Sequence, residues 1–410
     1  MGLVLDAVYA LTAAATAPWW ARKTRAQWGE RFGKTEPLPE PERPRVLLHA
    51  VSVGETNLIR PLVERLADHA EVVVSVTTDT GIARARTLFE GTARVVRYPL
   101  DASWSVRRFL DAVRPDIVAL AELEIWPQFI DACVARDIPV AVINGRLSQR
   151  SFRGYRKLKW FLGSRFGALA FAAVQDEDYA ARFRAMGVPR ERCHVVGTMK
   201  WDAAAVADTV DGADVLAREL GIDPHRPLIV AGSTAPDEHQ LLHEATPGDV
   251  QLLCAPRKPE WFDAAAAALP GCRRRSDPGA GDASSGRFLL DTIGELRKAY
   301  ALADLVVVGR SFGVLYGSDP MEPAALGKAI VIGPAVADFQ TTVTAMLDAG
   351  AIVQSVRDGL PRTLAELMAD DGRREQLSRN ARQCVLEHQG AADTHARMLL
   401  ELIPARRDST

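Results

Sequence analysis

The stretch RVLLHAVSVGETNLIRPLVERLADHAEVVVSVT, residues 45–77, decides the fold class. Two nearly continuous apolar runs, residues 46–50 and 72–77, flank a segment, 58–67, whose apolar residues recur at helical spacing. Strands buried on both faces of a parallel sheet read as continuous apolar runs, whereas an amphipathic helix repeats every three to four residues. The stretch therefore predicts a strand–helix–strand unit with both strands parallel in one sheet.

The same alternation continues beyond this unit and then starts a second time. Further strands of the first half are predicted at residues 117–121, 140–143, 170–174 and 194–196. Strands of the second half are predicted at residues 228–231, 250–255, 288–290, 305–308 and 330–332. A segment rich in Ala, Val and Asp, 203–215, separates the halves, and a stretch rich in Gly, Ser and Asp, 273–287, predicts a flexible loop.

These patterns predict an α/β protein of two Rossmann-like, doubly wound domains that face a shared cleft. The domains are residues 45–202 and 216–385, with a helical segment at 1–34 before them and a C-terminal tail or helix at 386–410. Loops that follow the strands of an open parallel sheet bind ligands, so candidate functional residues are sought there.

Composition excludes several classes of protein. The chain has 410 residues with 50 Lys+Arg and 52 Asp+Glu, a net charge of -2, so no overall charge attracts nucleic acid. No run of about 20 uninterrupted apolar residues forms a conventional membrane span. The five cysteines are scattered without a CxxC pair, which favours reduced thiols over disulfides or a zinc site.

The N-terminal segment, residues 1–34, combines apolar, aromatic and basic residues in that order. Residues 3–17 are apolar apart from Asp6 and two threonines, and Trp19 and Trp20 follow them. Residues 22–34 then carry five basic residues and one acidic residue, a net charge of +4. This order favours an interfacial anchor on the anionic cytoplasmic leaflet of a membrane. A helix that packs on the protein's own body is the alternative.

The first candidate site follows the first strand. Ser52, Gly54 and Glu55 lie where the chain leaves that strand and enters a helix. Gly54 permits a close turn of the backbone, and the carboxylate of Glu55 could act as a general base at the edge of the cleft. A glutamate that only stabilises the positive end of the helix dipole is the alternative.

Two more acidic residues follow the strand at 117–121. Glu122 and Glu124 are two residues apart, and because side chains alternate along a strand this spacing predicts that both point to one side. Such a pair could bind sugar hydroxyls or act as acid and base, or could simply belong to a helix start. Arg146, after the next strand, suits a carboxylated or phosphorylated ligand.

Three loops of the second domain suit an anion. Gly232 and Ser233 follow a strand and predict a cradle of backbone N–H groups. Arg257 and Lys258 stand between Pro256 and Pro259, where they could hold a phosphate, although a solvated basic loop is the alternative. In the segment Asp319, Pro320, Met321 and Glu322, we predict a capping box with Asp319 as N-cap and Glu322 as the third helical residue.

Several other patterns are weaker. Gly309 to Gly313 matches a GxSxG nucleophile elbow with Ser311 as nucleophile and His388 or His395 downstream, but no HGGG-type loop accompanies it. His239 and His243 share a helix face without an HExxH motif, and the acidic triplet 176–178 sits at a helix start. The sequence contains no P-loop and no GxGxxG motif.

Taken together, the segments resemble the 3-deoxy-D-manno-octulosonic acid (Kdo) transferase family of lipopolysaccharide biosynthesis. Along with the N-terminus, the segments that carry the resemblance are HAVSVGE, ELEIWP, INGRLSQRS, VGTMKWD, VAGST, APRKPEWF, DTIGELRKAYALAD and DPMEPAALGKAIVIGP. The resemblance implies the type-B glycosyltransferase architecture and inverting transfer of Kdo from CMP-Kdo to a lipid A precursor, lipid IVA. It also implies the cytoplasmic side of the inner membrane as the location, without a bound metal or other cofactor.

The resemblance assigns roles to several residues. Glu55 of HAVSVGE would be the general base that deprotonates the acceptor hydroxyl. CMP would contact Pro256 and Arg257, Ile293, Gly294 and Glu295 of DTIGEL, and Asp319, Pro320, Met321 and Glu322. The remaining substrate-site candidates are Ser52, Gly54, Glu122, Glu124, Arg146, Lys200 of VGTMKWD, Gly232, Ser233 and Ser311.

The sequence departs from the family pattern at three places. Ser318 and Asp319 replace the His and Asn of GGHNPLEP, Gly309-Arg310 replaces a glycine pair, and Lys258 replaces a histidine. An ionised Asp319 beside a phosphate would cost Coulomb energy where Asn would donate a hydrogen bond. A paralogous type-B glycosyltransferase with another donor or acceptor, a non-catalytic sensor that keeps the fold, and the serine hydrolase therefore remain alternatives.

Overall fold

The computed structural model describes Asp6 and residues 27–277, 279 and 281–403. Most of the predicted N-terminal anchor therefore lies outside the described residues. Asp6 itself accepts hydrogen bonds at one carboxylate oxygen from the Ser103 N–H at 2.8 Å and from Gln128 Nε2 at 3.1 Å. None of the described helices has the length and apolarity needed to cross a bilayer.

The described chain divides into two α/β units, which confirms the predicted fold class. Of the described residues, unit 1 takes those up to Ala203 and from Gln389 onward, and unit 2 takes those between Ala204 and His388. Among the described residues, each unit is built on one parallel sheet of seven strands.

Unit 1 carries its sheet in the order β3-β2-β1-β4-β5-β6-β7. Its strands are β1 Arg45–Ala50, β2 Glu71–Val76, β3 Arg94–Arg97, β4 Ile117–Ala121, β5 Val140–Gly145, β6 Phe171–Val174 and β7 Cys193–Val195. Its helices are α1 Trp28–Arg31, α2 Val53–Leu58, α3 Arg60–Leu66, α4 Asp79–Leu88, α5 Ser103–Val113, α6 Pro127–Val134, α7 Gln149–Lys157, α8 Lys159–Gly167 and α9 Glu177–Met186.

Unit 2 repeats this plan with the order β10-β11-β9-β8-β12-β13-β14. Its strands are β8 Leu228–Thr234, β9 Gln251–Pro256, β10 Arg273–Arg274, β11 Arg287–Leu289, β12 Leu305–Val308, β13 Ala329–Ile332 and β14 Val353–Gln354. Its helices are α10 Ala213–Leu220, α11 Pro236–Ala245, α12 Phe262–Ala268, α13 Leu296–Leu302, α14 Met321–Ala325, α15 Gln340–Asp348, α16 Leu360–Ala369 and α17 Asp371–His388.

The continuous apolar runs are explained by burial on both faces of the sheets. In β1, Val46 and Leu48 belong to one buried cluster and Leu47 belongs to another on the opposite face, and all three are fully buried. Burying one such side chain stabilises the fold by roughly 1.5–3 kcal/mol. A central strand of this kind therefore cannot carry the alternating polar residues of a half-exposed strand.

Three short strands were not predicted from the sequence. β3, β10 and β14 lie at the edges of their sheets, and β10 occupies the start of the segment 273–287 that was predicted as a flexible loop. The prediction of a loop from residue 273 is therefore wrong at its beginning. Edge strands of two to four residues bury little side-chain area, so they lack the apolar run that marks the inner strands.

The C-terminal helix α18, Ala391–Glu401, packs on unit 1. The carboxylate of Asp202 accepts hydrogen bonds from the N–H groups of Gly390 and Ala392 at 2.8 and 3.2 Å. Buried His395 accepts the Asn144 N–H at Nε2, 2.9 Å away, while its Nδ1 lies 2.6 Å from the Ala391 carbonyl oxygen. The proton is therefore on Nδ1, and burial lowers the pKa of His395, which keeps the ring neutral. The helix thus fixes the carboxyl end of β5.

The order of each sheet reverses at a point between two central strands. In unit 1 the reversal lies between β1 and β4, and in unit 2 it lies between β8 and β12. Loops leave such a pair in opposite directions, and the crevice between them is where open α/β sheets bind ligands. Four residues other than glycine have positive φ at or just after the carboxyl ends of inner strands: Glu122 at 57° after β4, Asn144 at 51° in β5, Ser233 at 56° in β8 and Arg310 at 59° after β12.

Replacing Arg310 by glycine should release backbone strain and stabilise the fold measurably. A side chain in the left-handed region costs roughly 1–2 kcal/mol, part of which glycine loses again through its freer unfolded chain. We therefore expect Arg310→Gly to raise the free energy of unfolding by about 0.5–1 kcal/mol in urea titrations. The matched control is Asp137→Gly, at an exposed turn with φ of 56°. A loss of stability in Arg310→Gly beside a gain in Asp137→Gly would contradict this expectation.

Candidate active site

Glu55 lies in the first turn of α2, directly after the central strand β1 of unit 1. The N-cap residue of this helix is Ser52, whose hydroxyl accepts the Glu55 N–H at 3.4 Å. In return, Glu55 Oε1 accepts the Ser52 hydroxyl at 3.1 Å and Glu55 Oε2 accepts the Val51 N–H at 2.8 Å. This reciprocal cap holds the carboxylate in one orientation at the reversal point between β1 and β4.

The electrostatic surroundings of Glu55 favour proton uptake. The side chain is half-buried, and burial raises its pKa above the ordinary value of 4.5. The negative charge of Glu122 raises it further, while the hydrogen bonds from Val51 and Ser52 oppose the rise. A carboxylate with a raised pKa is a stronger base, which is the property that general base catalysis needs.

Gly54 differs from the prediction. We expected it to permit a close turn, but its φ is not positive, and an added Cβ would meet only the Ser52 hydroxyl at 3.7 Å. The fold of unit 1 therefore does not require glycine here. The residue is exposed beside Glu55, so the missing side chain leaves room next to the carboxylate.

Glu122 and Glu124 follow β4, but not as two residues of a strand. β4 ends at Ala121, and Glu122 has a φ of 57°, so the predicted alternation of side chains does not apply. Glu124 is held instead by Trp126, whose indole Nε1 donates to its carboxylate at 2.7 Å. Burial, together with the charges of Glu55 and Glu122, raises the pKa of Glu124 to about 7, against the hydrogen bond from Trp126. Glu124 therefore interacts electrostatically with Glu55 and Glu122, although the backbone does not follow the predicted strand geometry.

Arg146 and Lys200 lie on neighbouring loops of unit 1. The Arg146 N–H donates to the Glu122 carbonyl oxygen at 3.3 Å, and its guanidinium Nε donates to the Tyr179 hydroxyl at 3.4 Å. Lys200 is half-buried and follows Met199, whose N–H donates to Asn144 Oδ1 at 3.0 Å. Arg146 is exposed, so its charge is available beside the carboxylates.

In unit 2, Gly232 and Ser233 lie near the carboxyl end of β8, where Gly232 is next to the side chain of Tyr300. An added Cβ on Gly232 would lie 2.0 Å from the Tyr300 hydroxyl oxygen, so this position requires glycine. Burial raises the pKa of Tyr300, the charges of Glu322 and Asp319 raise it further, and the charge of Arg257 opposes them. The phenol of Tyr300 is therefore a buried centre around which these three predicted nucleotide contacts gather.

The predicted anion cradle after β8 is occupied by the protein itself. The buried carboxylate of Glu238 accepts four backbone N–H groups at 2.7 to 3.1 Å. The donors are Ala235, Arg310, Ser311 and Phe312. From the sequence, Glu238 is expected only as an acidic residue at a helix start, although its position three residues after the start of the loop is also the signal of a capping glutamate.

Arg257 and Lys258 follow β9 in different surroundings. The Lys258 ammonium pairs with Glu260 at 3.1 Å and lies 5.0 Å from the ring centroid of Trp261. Arg257 is exposed, and its backbone N–H donates to the Thr234 carbonyl oxygen at 3.0 Å, while its guanidinium has no partner among the described residues. The preceding Pro256 is buried at the end of β9. Of the two cations, Arg257 is the one free to bind an anion.

The segment from Asp319 to Glu322 begins α14, but not through the predicted capping box. Asp319 Oδ1 accepts the Met321 N–H at 2.8 Å, and Pro320 and Met321 are buried. Glu322 is half-buried and lies 3.9 Å from Arg297 Nη1 instead of bonding back to the N-cap. Burial and the Asp319 charge raise the pKa of Glu322, against Arg297. The Ser318 hydroxyl is buried without a partner among the described residues.

The predicted contacts Ile293, Gly294 and Glu295 precede α13. Ile293 is exposed, and Gly294 has a φ of 93°. The Glu295 carboxylate accepts Arg275 Nε at 3.0 Å and the Thr292 hydroxyl at 2.7 Å. Burial would raise the pKa of Glu295, but these hydrogen bonds and the charge of Arg275 lower it. The carboxylate is thus engaged within the protein, which leaves Ile293 and Gly294 as the open part of this turn.

The weaker patterns have structural roles. The Ser311 hydroxyl is fully buried, donates to the Val308 carbonyl oxygen at 2.6 Å and accepts the Gly333 N–H at 2.8 Å. It is therefore neither an accessible nucleophile nor a substrate contact, which contradicts the hydrolase alternative. In the acidic triplet, Asp176 caps α9 by accepting the Tyr179 N–H at 2.7 Å, and its two neighbours pair with Arg182 and Arg184.

Comparisons with known proteins agree with these observations. The family model for 3-deoxy-D-manno-octulosonic-acid transferase (Kdo transferase) matches residues 26–203. The chain is 32% identical over 419 residues to the 3-deoxy-D-manno-octulosonic acid transferase of Bordetella pertussis, which covers 94% of this chain and 96% of that protein. It is 28% identical over 382 residues to the corresponding Haemophilus influenzae transferase, with 90% and 89% covered.

Among solved structures, a glycosyltransferase from Rickettsia africae matches with a TM-score of 0.58 at 10% identity, covering 88% of this chain and 99% of that one. At this identity the match supports only the fold, two doubly wound units in one chain. The relationship to the Bordetella transferase extends over nearly the full length of both proteins. This chain therefore belongs to the 3-deoxy-D-manno-octulosonic acid (Kdo) transferase family, and it is a glycosyltransferase of lipopolysaccharide biosynthesis.

Proposed function

We propose that this protein transfers Kdo from CMP-Kdo to a lipid A precursor, lipid IVA, with inversion at the anomeric carbon, and that Glu55 is the general base. The observation that carries the proposal is the Glu55 carboxylate. It is half-buried, has a raised pKa and is held by Ser52 and Val51 at the reversal point of the unit 1 sheet.

In the proposed reaction, Glu55 takes the proton of an acceptor hydroxyl while that oxygen attacks the anomeric carbon of Kdo. The new bond joins the acceptor oxygen to that carbon, and the bond from the same carbon to the phosphate oxygen breaks as CMP leaves. A base that faces the attacking oxygen and a cation that faces the leaving phosphate lower the barrier together. Arg257 supplies such a cation, and we expect no resident metal or other cofactor.

The other carboxylates support the sugar side of the reaction. Glu122 and Glu124 lie within electrostatic range of Glu55, and carboxylates of this kind bind sugar hydroxyls. With a pKa of about 7, Glu124 is partly protonated near neutral pH and can donate as well as accept a hydrogen bond. Exposed Arg146 suits the carboxylate of Kdo or a phosphate of the acceptor.

Asp319 also favours a second candidate, a transferase of this fold that uses another sugar nucleotide. In the structure, however, one Asp319 oxygen accepts the Met321 N–H, which directs it toward the start of its own helix. This interaction reduces the expected repulsion of a phosphate, so Asp319 does not argue against CMP-Kdo as the donor. Stabilisation by UDP or GDP, without stabilisation by CMP, in thermal unfolding would instead support the second candidate.

We further propose that the protein acts on the cytoplasmic side of the inner membrane, attached peripherally or through the N-terminal segment. The support is the order of apolar, aromatic and basic residues within positions 1–34 and the lipid nature of the proposed acceptor. This location brings the soluble donor and the lipid acceptor to the same surface.

Replacing the proposed base tests the reaction directly. Glu55→Gln keeps the shape of the side chain but cannot accept a proton, so we expect kcat to fall about 100-fold or more while CMP affinity is unchanged. The measurement is CMP release from CMP-Kdo in the presence of lipid IVA. The control is Glu64→Gln, an exposed glutamate of α3 that pairs with Arg60 at 3.6 Å. Normal turnover by Glu55→Gln would exclude Glu55 as the base.

The pH dependence should respond to the neighbouring charge. The reaction needs ionised Glu55, so kcat/KM rises with pH through the pKa of this group. Burial and then the charge of Glu122 raise that pKa, so Glu122→Gln should move the rise to lower pH. Rates measured against pH for this variant, beside Glu64→Gln, give the comparison. An unchanged profile in Glu122→Gln would show that another group controls the rise.

The two cations after β9 should differ in their effect on CMP. Because the Arg257 guanidinium is unpaired among the described residues, we expect Arg257→Gln to weaken CMP binding about tenfold or more. Lys258→Gln should have a smaller effect, since Lys258 already pairs with Glu260 and packs on Trp261. Isothermal titration with CMP measures both. Equal losses of CMP affinity in Arg257→Gln and Lys258→Gln would contradict the conclusion that Arg257 is the main phosphate-binding cation.

A further inference from the structure

A corner of unit 1 at the junction of α7 and α8 concentrates positive charge. The sequence from 149 to 165 contains six basic residues and no acidic residue, in a chain whose net charge is -2. One of the six, Arg165, is buried and pairs with Asp131 at 2.6 Å. The other five are Arg150, Arg153, Arg156, Lys157 and Lys159. All five are exposed, and none of them forms an ion pair with any residue that the structure describes.

The same corner exposes apolar side chains between its cations. Residues 156–160 are five consecutive exposed residues, and within them Leu158 is 49% exposed and Trp160 is 84% exposed. Exposure of a tryptophan to this extent places it on a protrusion and not in a groove. Removing such apolar side chains from water is favourable, and the fold of unit 1 leaves Trp160 and Leu158 uncovered. Contact with a partner surface would bury them.

Half-buried aromatic side chains hold the corner firmly to the body of unit 1. Phe152, Tyr155 and Phe161 pack against the apolar cluster on one face of the sheet. The ring of Tyr155 meets the buried ring of Phe166 edge-on, with centroids 6.4 Å apart. The cations and Trp160 are therefore presented on a fixed support and not on a loose loop.

We propose that this basic corner, residues 150–160, binds the surface of an anionic lipid bilayer. Cations attract acidic headgroups, while tryptophan and leucine enter the interface between headgroups and acyl chains. Single-stranded nucleic acid also binds cations and aromatic rings, but it uses a groove that follows the backbone. The protruding shape and the aliphatic Leu158 favour the bilayer.

The position of the basic corner adds a consequence that rests on the proposed function. The loop that leads into α7 lies against the loop that follows β4, because the Arg146 N–H donates to the Glu122 carbonyl oxygen at 3.3 Å and α7 begins three residues later, at Gln149. The charge of Glu124 also reaches Tyr155 of α7, whose pKa is raised by burial and then by that charge. A bilayer bound at the basic corner would therefore lie next to the carboxylates proposed to bind the sugar of a lipid acceptor. The lipid need not leave the membrane to reach them.

The proposal is tested with the full chain and vesicles of equimolar phosphatidylglycerol and phosphatidylcholine. Because each cation near an anionic surface contributes to binding, reversing Arg153, Lys157 and Lys159 to Glu should lower the vesicle partition coefficient at least about tenfold. The control reverses Arg362, Arg373 and Arg379, exposed cations of α16 and α17 in unit 2, and changes the net charge equally. We expect the control to bind like the parent chain.

Trp160→Ser provides a second variant that keeps the charge. It should also weaken binding to these vesicles and remove part of the fluorescence shift that the parent chain shows on binding. Vesicles of phosphatidylcholine alone should bind the parent chain weakly. Parent-like binding by the triple variant, or an equal loss in the control, would overturn the proposal. A loss confined to binding of oligo-dT would instead identify a nucleic-acid surface and overturn it as well.

An activity measurement separates this proposal from the proposed function. The triple variant should transfer Kdo normally to lipid IVA dispersed in detergent and slowly to lipid IVA embedded in the vesicles. Equal rates in the two settings would argue against the basic corner. If the parent chain transfers no Kdo in either setting, the proposed function fails, while the vesicle-binding measurements still decide the role of the corner.

Discussion

The carboxyl end of each sheet depends on how the backbone N–H groups of its loops find acceptors. Both units solve this constraint with a glutamate in the first turn of the helix after a central strand, Glu55 after β1 and Glu238 after β8. Glu238 is fully buried and accepts four N–H groups, so its carboxylate is saturated and serves only the fold. Glu55 accepts one N–H and one hydroxyl and remains half-exposed. The same capping geometry therefore serves the fold at Glu238, where the carboxylate is buried and fully bonded. At Glu55 it leaves part of the carboxylate accessible for chemistry.

The electrostatic surroundings of the two carboxylates also differ, with neighbouring negative charge in unit 1 and an exposed cation in unit 2. In unit 1, burial raises the pKa values of Glu55 and Glu124, the charge of Glu122 raises both further, and the charge of Glu55 adds to the rise for Glu124. In unit 2, the exposed Arg257 follows β9, and the buried carboxylate of Glu238 already accepts four backbone N–H groups. A proton acceptor is therefore favoured on unit 1 and an anion on unit 2. This division suits a transfer in which one group loses a proton and another leaves as a phosphate.

The sequence predicted what burial and strand periodicity control, and it missed what loop conformation controls. The inner strands and both sheets follow from continuous apolar runs, whereas the edge strands β3, β10 and β14 leave no such pattern. The loops carrying Glu55 and Arg257 were found because they follow predicted strands. The left-handed conformation of Glu122 and the three hydrogen bonds that Glu238 accepts from residues 310–312 depend on contacts between distant segments, for which neighbouring residues give no signal. Gly54 shows the reverse error, because a glycine was assigned to a turn that does not need one.

The basic corner also bears on the carboxylates of unit 1. An anionic bilayer next to Glu124 would by itself raise carboxylate pKa values, because a negative surface disfavours further negative charge. Cations can oppose that effect only at short range, because salt screens charges that lie farther apart than about 10 Å. The pKa values of Glu55 and Glu124 are set instead by burial, by their hydrogen-bond donors and by neighbouring carboxylates, and not by Arg153, Lys157 or Lys159. Attraction of the lipid and control of the proposed base are therefore tasks of different residues on unit 1, the cations of the basic corner and the carboxylates after β1 and β4.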